Sequence, residues 1–249
     1  MKTWHLIVPL ALAGTTTLAH GAEVQVAVAG NFTSPMEKIA PAFEQATGHK
    51  VIVSYGMGGK FYSQITNGAS FEVLLSSDEE TPNRLVKDKL ALAESQITYA
   101  IGSLVLYNSK EGLVEDKVAI LKKGSFDRLA IANPKVAVYG AAAVQVMNGQ
   151  GVYSSLEPKI VLGENITQAY QFVATGNADL GFVALSQIYK DGACAKGSYW
   201  LVPKDLYPPL KKGAILLKRG EQNEAVKALL AYLHSEPAKE TIRSFGYTF

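Results

Sequence analysis

The stretch Val24-Gln25-Val26-Ala27-Val28-Ala29-Gly30-Asn31-Phe32-Thr33-Ser34-Pro35-Met36-Glu37 reads as a strand, a turn and the start of a helix. Val24 to Ala29 is an apolar run of strand length, bounded by a glycine. Ser34-Pro35-Met36-Glu37 predicts an N-cap, a proline at N1 and a glutamate at N3, together a capping box. Met36, Ile39, Ala40, Phe43 and Ala46 then share one helical face, and Gly48 is placed to end the helix. Pro41 interrupts that pattern and is expected to bend the helix or cost it a hydrogen bond.

Working outward, the same unit recurs. Val51, Val53 and Tyr55 alternate with Ile52 and Ser54 as a second strand, followed by a glycine-rich turn from Gly56 to Gly59 and a helix through Phe61 and Ile65. A strand over Glu72–Ser76 and a helix starting near Pro82 come next. The middle of the chain predicts strands at Leu104–Tyr107, Leu129–Ala132, Ile160–Leu162 and Leu180–Val183, with helices after Tyr139, Asn165 and Leu185. Ile166, Ala169, Tyr170 and Val173 form one face of the second of these. Near the carboxyl end, Val226, Leu229, Leu230 and Leu233 mark an amphipathic helix, and a last one lies around Pro237–Phe245. Short apolar strands alternating with amphipathic helices predict an α/β protein with largely parallel sheets. Such sheets bind ligands at the carboxyl ends of their strands, where helix starts present free N–H groups.

Residues 1–22 read as a secretory leader: Lys2, an apolar stretch from Trp4 to Leu12, then small residues with Ala19 and Gly21 at the positions a signal peptidase reads. Cleavage after Gly21 or Ala22 is expected, which points to the periplasm. The apolar stretch falls short of the ~20 residues of a membrane span, and no cysteine stands at the cleavage site to carry a lipid. Beyond the leader the chain has 23 basic and 22 acidic residues. That balance gives no electrostatic footprint for nucleic acid or an anionic membrane. The single cysteine, Cys194, allows no internal disulfide.

Catalytic constellations are missing. Beyond the leader only His49 and His234 remain, with no nucleophile elbow and no metal-ligand spacing around them. Asp78, Glu79 and Glu80 read as a helix start, where carboxylates suit the dipole. Gly56-Met57-Gly58-Gly59-Lys60-Phe61 departs from the nucleotide loop in its glycine spacing and in having Phe61 after the lysine. As a glycine turn between strand and helix it still exposes N–H groups that suit a small anion. Gly30-Asn31-Phe32, Tyr139-Gly140-Ala141 and Glu164-Asn165-Ile166 have the same character. Four such turns, split between outer and middle segments, predict one anion held between two lobes by a cofactor-free receptor.

These residues resemble the periplasmic molybdate- and tungstate-binding proteins, the ModA family of ABC-importer receptors, from Val24 to about Tyr247. The resembling segments include Ala27-Val28-Ala29-Gly30-Asn31-Phe32, Gln64-Ile65-Thr66-Asn67-Gly68-Ala69 and Tyr99-Ala100-Ile101-Gly102. Val138-Tyr139-Gly140-Ala141-Ala142 and Asp179-Leu180-Gly181-Phe182-Val183-Ala184-Leu185-Ser186-Gln187 complete them. The resemblance implies a type II periplasmic binding protein fold, two α/β lobes joined by two hinge-crossing strands. Lobe one would be 23–103 plus 212–249 and lobe two 104–211. It also implies a monomer that closes on a tetrahedral oxyanion and hands it to a membrane permease. The family's ligand positions fall on Gly30, Asn31 and Gly58 in one lobe. In the other they fall on Tyr139 and on Ile166, the latter through its backbone N–H. Two departures stand out. The position of Gly58 commonly carries a serine or threonine hydroxyl, and some members have a ligand-binding tyrosine at the position of Ala184. A diverged receptor for another small anion or an organic acid is the alternative that the first departure raises.

Overall fold

The computed structural model describes residues 21–112 and 118–249. The leader, residues 1–22, lies almost wholly outside them. In chain order the elements are β1 (Glu23–Ala29), α1 (Thr33–Thr47), β2 (Lys50–Gly56), α2 (Gly58–Thr66), β3 (Val73–Leu75), α3 (Glu80–Lys87), β4 (Ile97–Gly102) and β5 (Leu104–Asn108). Then come α4 (Val118–Lys123), β6 (Leu129–Ala132), α5 (Val138–Gly149), α6 (Tyr153–Leu156), β7 (Ile160–Gly163), α7 (Ile166–Ala174) and β8 (Leu180–Ala184). The short strands β9 (Tyr189–Lys190), β10 (Ala193–Cys194) and β11 (Ser198–Leu201) precede β12 (Leu210–Leu216), α8 (Glu224–Leu233) and α9 (Glu236–Ser244).

Two five-stranded sheets organise these elements, in the orders β2-β1-β3-β12-β4 and β11-β5-β8-β6-β7. Each sheet with its helices makes a lobe with its own core. Val26, Val28, Phe32, Phe43, Leu229 and Ile242 pack together in the first, while Leu106, Ile131, Val146, Leu180 and Phe182 do so in the second. The chain crosses between the sheets twice, from β4 to β5 through Ser103 and back from β11 to β12. Those crossings explain a departure from the expected parallel sheets. β1 pairs in parallel with β2 and β3, and β6 with β7 and β8. The strands that enter or leave a lobe run the other way: β12 is antiparallel to β3 and β4, and β5 to β8 and β11.

Local sequence explains most element ends. Gly48 stops α1 with φ 74°, a left-handed conformation that costs glycine nothing. The capping box, however, does not form. A 3-10 turn over Gly30–Phe32 runs straight into α1, which begins at Thr33 with Phe32 as its cap and no side-chain cap bond. Thr33 Oγ1 donates to the Gly30 carbonyl instead, at 2.9 Å. Pro41 stays inside α1 on the exposed side, so the carbonyl it leaves unpaired faces water. The expected helix after Leu185 is only a 3-10 turn to Gln187, because the chain then enters the β9–β10 hairpin. Cys194 lies in that hairpin as a free thiol.

Candidate functional site

Three α-helices begin on one cleft between the lobes. The hydrogen-bond ladder of α2 opens with Phe61 N–H to the Met57 carbonyl at 2.9 Å, that of α5 with Ala141 to Ala137 at 3.0 Å, and that of α7 with Ala169 to Asn165 at 3.1 Å. The N–H groups ahead of these bonds have no acceptor within their own helices. They belong to Gly58, Gly59 and Lys60, to Val138, Tyr139 and Gly140, and to Ile166 and Thr167. In α7 the Asn165 side chain caps Gln168 N–H at 2.9 Å and leaves the first two untouched. The 3-10 turn after β1 faces the same space.

The cleft encloses about 400 Å³, and Gly30, Asn31, Gly58, Tyr139 and Ile166 all line it, with Thr33, Tyr55, Ser77, Thr167, Gln168 and Gln171. No lysine or arginine is among the described residues lining it, and Glu164 is its one charged side chain. A ring of neutral donors and three positive helix-dipole ends suits a small anion, held by charge-assisted hydrogen bonds. The Ser77 hydroxyl reaches a carboxylate, Asp78 Oδ2, only at a long 3.4 Å, and no histidine is among the described lining residues to act as a base. Among the described residues no group of three His, Cys, Asp or Glu side chains could hold a metal ion.

Asn31 and Tyr139 are the buried polar side chains of this cleft. The Asn31 backbone carbonyl accepts from Ser186 Oγ at 2.9 Å and from the Tyr247 hydroxyl at 2.6 Å, so residues of both lobes fix the turn. Phe32, next in the turn, packs edge-on against Tyr99 and Tyr247 with ring centroids 4.7 and 5.5 Å away. Each such pair contributes about 0.5–1.5 kcal/mol beyond its area. The Asn31 amide nitrogen donates to the Tyr247 hydroxyl at 3.0 Å, but its Oδ1 is buried without a partner. The Tyr139 hydroxyl is likewise buried and unpartnered. Burial, with the neighbouring tyrosines Tyr247, Tyr99 and Tyr207, pushes its pKa well up, so the phenol keeps its proton.

Ala184 ends β8, fully buried, and does not line the cleft. Sequence reasoning passed over Ser77, Thr167 and a buried lysine, Lys212. Lys212 Nζ donates to the Ser77 carbonyl at 2.9 Å and lies 4.3 Å from the Tyr139 ring centre, behind the cleft wall. Thr167 could have been found, since it follows the singled-out Ile166. Lys212 gave no such signal; beside Lys211 it reads as a surface pair.

The family model described as bacterial extracellular solute-binding protein matches residues 24–248. The molybdate-binding protein ModA of Azotobacter vinelandii is 54% identical over 242 residues, 97% of this chain and 96% of that protein. The Rhodobacter capsulatus protein of the same name is 49% identical over 94% of this chain and 91% of its own. A solved structure of the Azotobacter vinelandii periplasmic molybdate-binding protein superposes with a TM-score of 0.86 at 37% identity, covering 91% of this chain and 99% of the other.

Proposed function

The chain belongs to the bacterial extracellular solute-binding protein family, and on that premise we propose that it captures molybdate or tungstate between its lobes and delivers the oxyanion to an ABC permease. It is a receptor and not an enzyme. The observation that carries this reading is the near full-length likeness to molybdate-binding proteins, and a cleft of neutral donors with no catalytic pair agrees with it. A tetrahedral dianion is the right charge for three helix starts, and a monomer with a two-stranded hinge can close on it. In this reading Gly30, Asn31 and Gly58 bind from the first lobe, and Tyr139 and Ile166 from the second. The lobes divide as 23–103 with 212–249, and 104–211. Residues 1–22 direct the chain to the periplasm and are removed there.

Calorimetric titration with molybdate, tungstate, sulfate and phosphate tests the ligand class. Saturation at a hundred times Kd stabilises the fold by about 2.7 kcal/mol, which a melting curve reads independently. A protein that ignores molybdate and tungstate but binds another anion would move the chain to the diverged alternative. Gly58→Ser is the informative variant in the same series. Gly58 does not have positive φ, and an added Cβ would meet Ser76 Oγ, Thr81 Oγ1 and Asp78 Oδ2 at 3.5, 3.5 and 3.6 Å, ordinary contacts. Serine is therefore tolerated and adds a hydroxyl, for which the anion competes with Asp78. Molybdate should bind up to about tenfold tighter, the ~1.4 kcal/mol of one net bond to a charged group.

Tyr139→Phe separates binding from stability. The phenol hydroxyl is buried with no partner in the protein, a state that costs about 1–3 kcal/mol. Its removal should leave the ligand-free melting temperature unchanged or higher, and weaken molybdate about tenfold. Equal affinity in both proteins would take the Tyr139 side chain out of the site and leave only its N–H.

A further inference from the structure

Gly30 is not in the left-handed region, so its backbone does not demand glycine. Space does. A Cβ built there would lie 2.9 Å from Thr167 Oγ1, which reaches across the cleft from the second residue of α7. Both residues line the cleft from opposite lobes. The hydroxyl of Thr167 also lacks the local bond that most helical threonines make. Thr47, Thr66, Thr175 and Thr241 each donate to a carbonyl three or four residues back. Thr167 makes no such bond, and among the described residues its hydroxyl has no hydrogen-bond partner.

We propose that Thr167 supplies a hydroxyl donor to the bound oxyanion from the second lobe, standing in for the one that Gly58 lacks in the first. The proposal rests on the oxyanion reading above and adds a residue to it. The proximity to Gly30 makes a stronger claim possible. A side chain on residue 30 would crowd the Thr167 hydroxyl, with its Cβ only 2.9 Å away, so a hydroxyl on residue 30 and one on residue 167 would compete for the same space and one can replace the other.

The test is a titration of the mature chain with sodium molybdate, alongside ligand-free melting curves. The proteins are the parent, Thr167→Ala, Thr167→Ser, Gly30→Ser and the double variant Gly30→Ser with Thr167→Ala. Thr167→Ala should bind about tenfold to a hundredfold more weakly, as for one lost bond to a charged group, with its melting temperature little changed. Thr167→Ser should stay within about threefold of the parent, because it keeps the hydroxyl. Gly30→Ser alone should weaken binding, since two groups then contend for one space. The double variant should recover most of what Thr167→Ala lost. Thr167→Ala binding as tightly as the parent overturns the donor role, and a double variant as weak as Thr167→Ala overturns the exchange. A parent that binds none of the oxyanions overturns the receptor reading itself, and the Thr167 proposal with it.

Discussion

Asn31→Asp should lose at least a thousandfold in molybdate affinity, while Asn31→Ala loses about tenfold to a hundredfold. The alanine effect is one hydrogen bond to a charged group, about 1.5–3 kcal/mol. The aspartate has nearly the same shape but reverses the local field. Opposing a dianion at about 4 Å with an effective dielectric near 20 costs on the order of 8 kcal/mol before relaxation and screening. Half of that is already about a thousandfold, and the lost hydrogen bond adds to it. The Asn31 amide donates to Tyr247 and leaves Oδ1 unpartnered. Turning the amide over would bring the NH2 to the orphaned position, the orientation an anion would select, at the cost of the Asn31–Tyr247 bond, because the single Tyr247 hydroxyl hydrogen already serves the Asn31 backbone carbonyl. An aspartate offers acceptors in both orientations. Titration and a melting curve on both variants check this. If the aspartate variant, still folded, binds within tenfold of the alanine variant, Asn31 does not face the anion.

Much of this molecule was legible in the sequence, for identifiable reasons. The buried strands β1, β5, β6 and β8 were readable because both of their faces are covered, which leaves continuous apolar runs between glycines and turns. The starts of α5 and α7 were readable because a tight turn or an Asn cap stands directly before them. The start of α1 was misread because Ser34-Pro35-Met36-Glu37 satisfies a local capping rule, but the buried ring of Phe32 packs the turn against Tyr99 and Tyr247 and the helix begins two residues early. Tertiary packing outweighed a local preference. β12 went unread because Lys211 and Lys212 interrupt its apolar pattern, although Lys212 faces inward at a register shift in the ladder with β4. Within the site, the turns could be found one by one. Their convergence needed the two chain crossings, which no local pattern encodes, and the contact of Thr167 with Gly30 exists only after they bring the lobes together.

Lys212→Met should make the ligand-free protein more stable at pH 7 and remove most of its rise in stability toward pH 9. Lys212 is fully buried, and desolvation drives its pKa down from 10.5 to about 7, against an upward pull from Asp78. The unfolded chain then holds this proton up to pH 10.5 while the folded chain releases it near 7. Between those values the unfolded state binds more protons, so stability rises with pH, by at most about 1.4 kcal/mol per unit. Below pH 7 the folded state carries the charge at full cost. Above pH 10 the slope should reverse, because the buried phenols Tyr99, Tyr139 and Tyr247 resist an ionisation that the unfolded chain accepts. The usable window is therefore pH 7 to 9, with a gain of about 2 kcal/mol for the parent. Methionine has a similar length and no charge, and such replacements of buried ions are often stabilising by ~1–4 kcal/mol. Against this, the Ser77 carbonyl loses its donor and Tyr139 its cation, so a net gain of about 1–3 kcal/mol at pH 7 is expected. Denaturant unfolding of both proteins at half-unit steps from pH 6 to 9 measures it. Parallel curves, or a variant less stable than the parent at pH 7, would show that the fold tolerates the buried charge by other means. A gain would raise the question of what the lysine is kept for, and the molecule offers an answer. Lys212 sits directly behind Ser77 and Tyr139, and no cation is among the described residues lining the cleft, so in the oxyanion reading proposed above its protonated form is the side chain placed to meet the charge of the anion. Molybdate should accordingly stabilise the parent more at pH 6 than at pH 8.5, and the methionine variant equally at both.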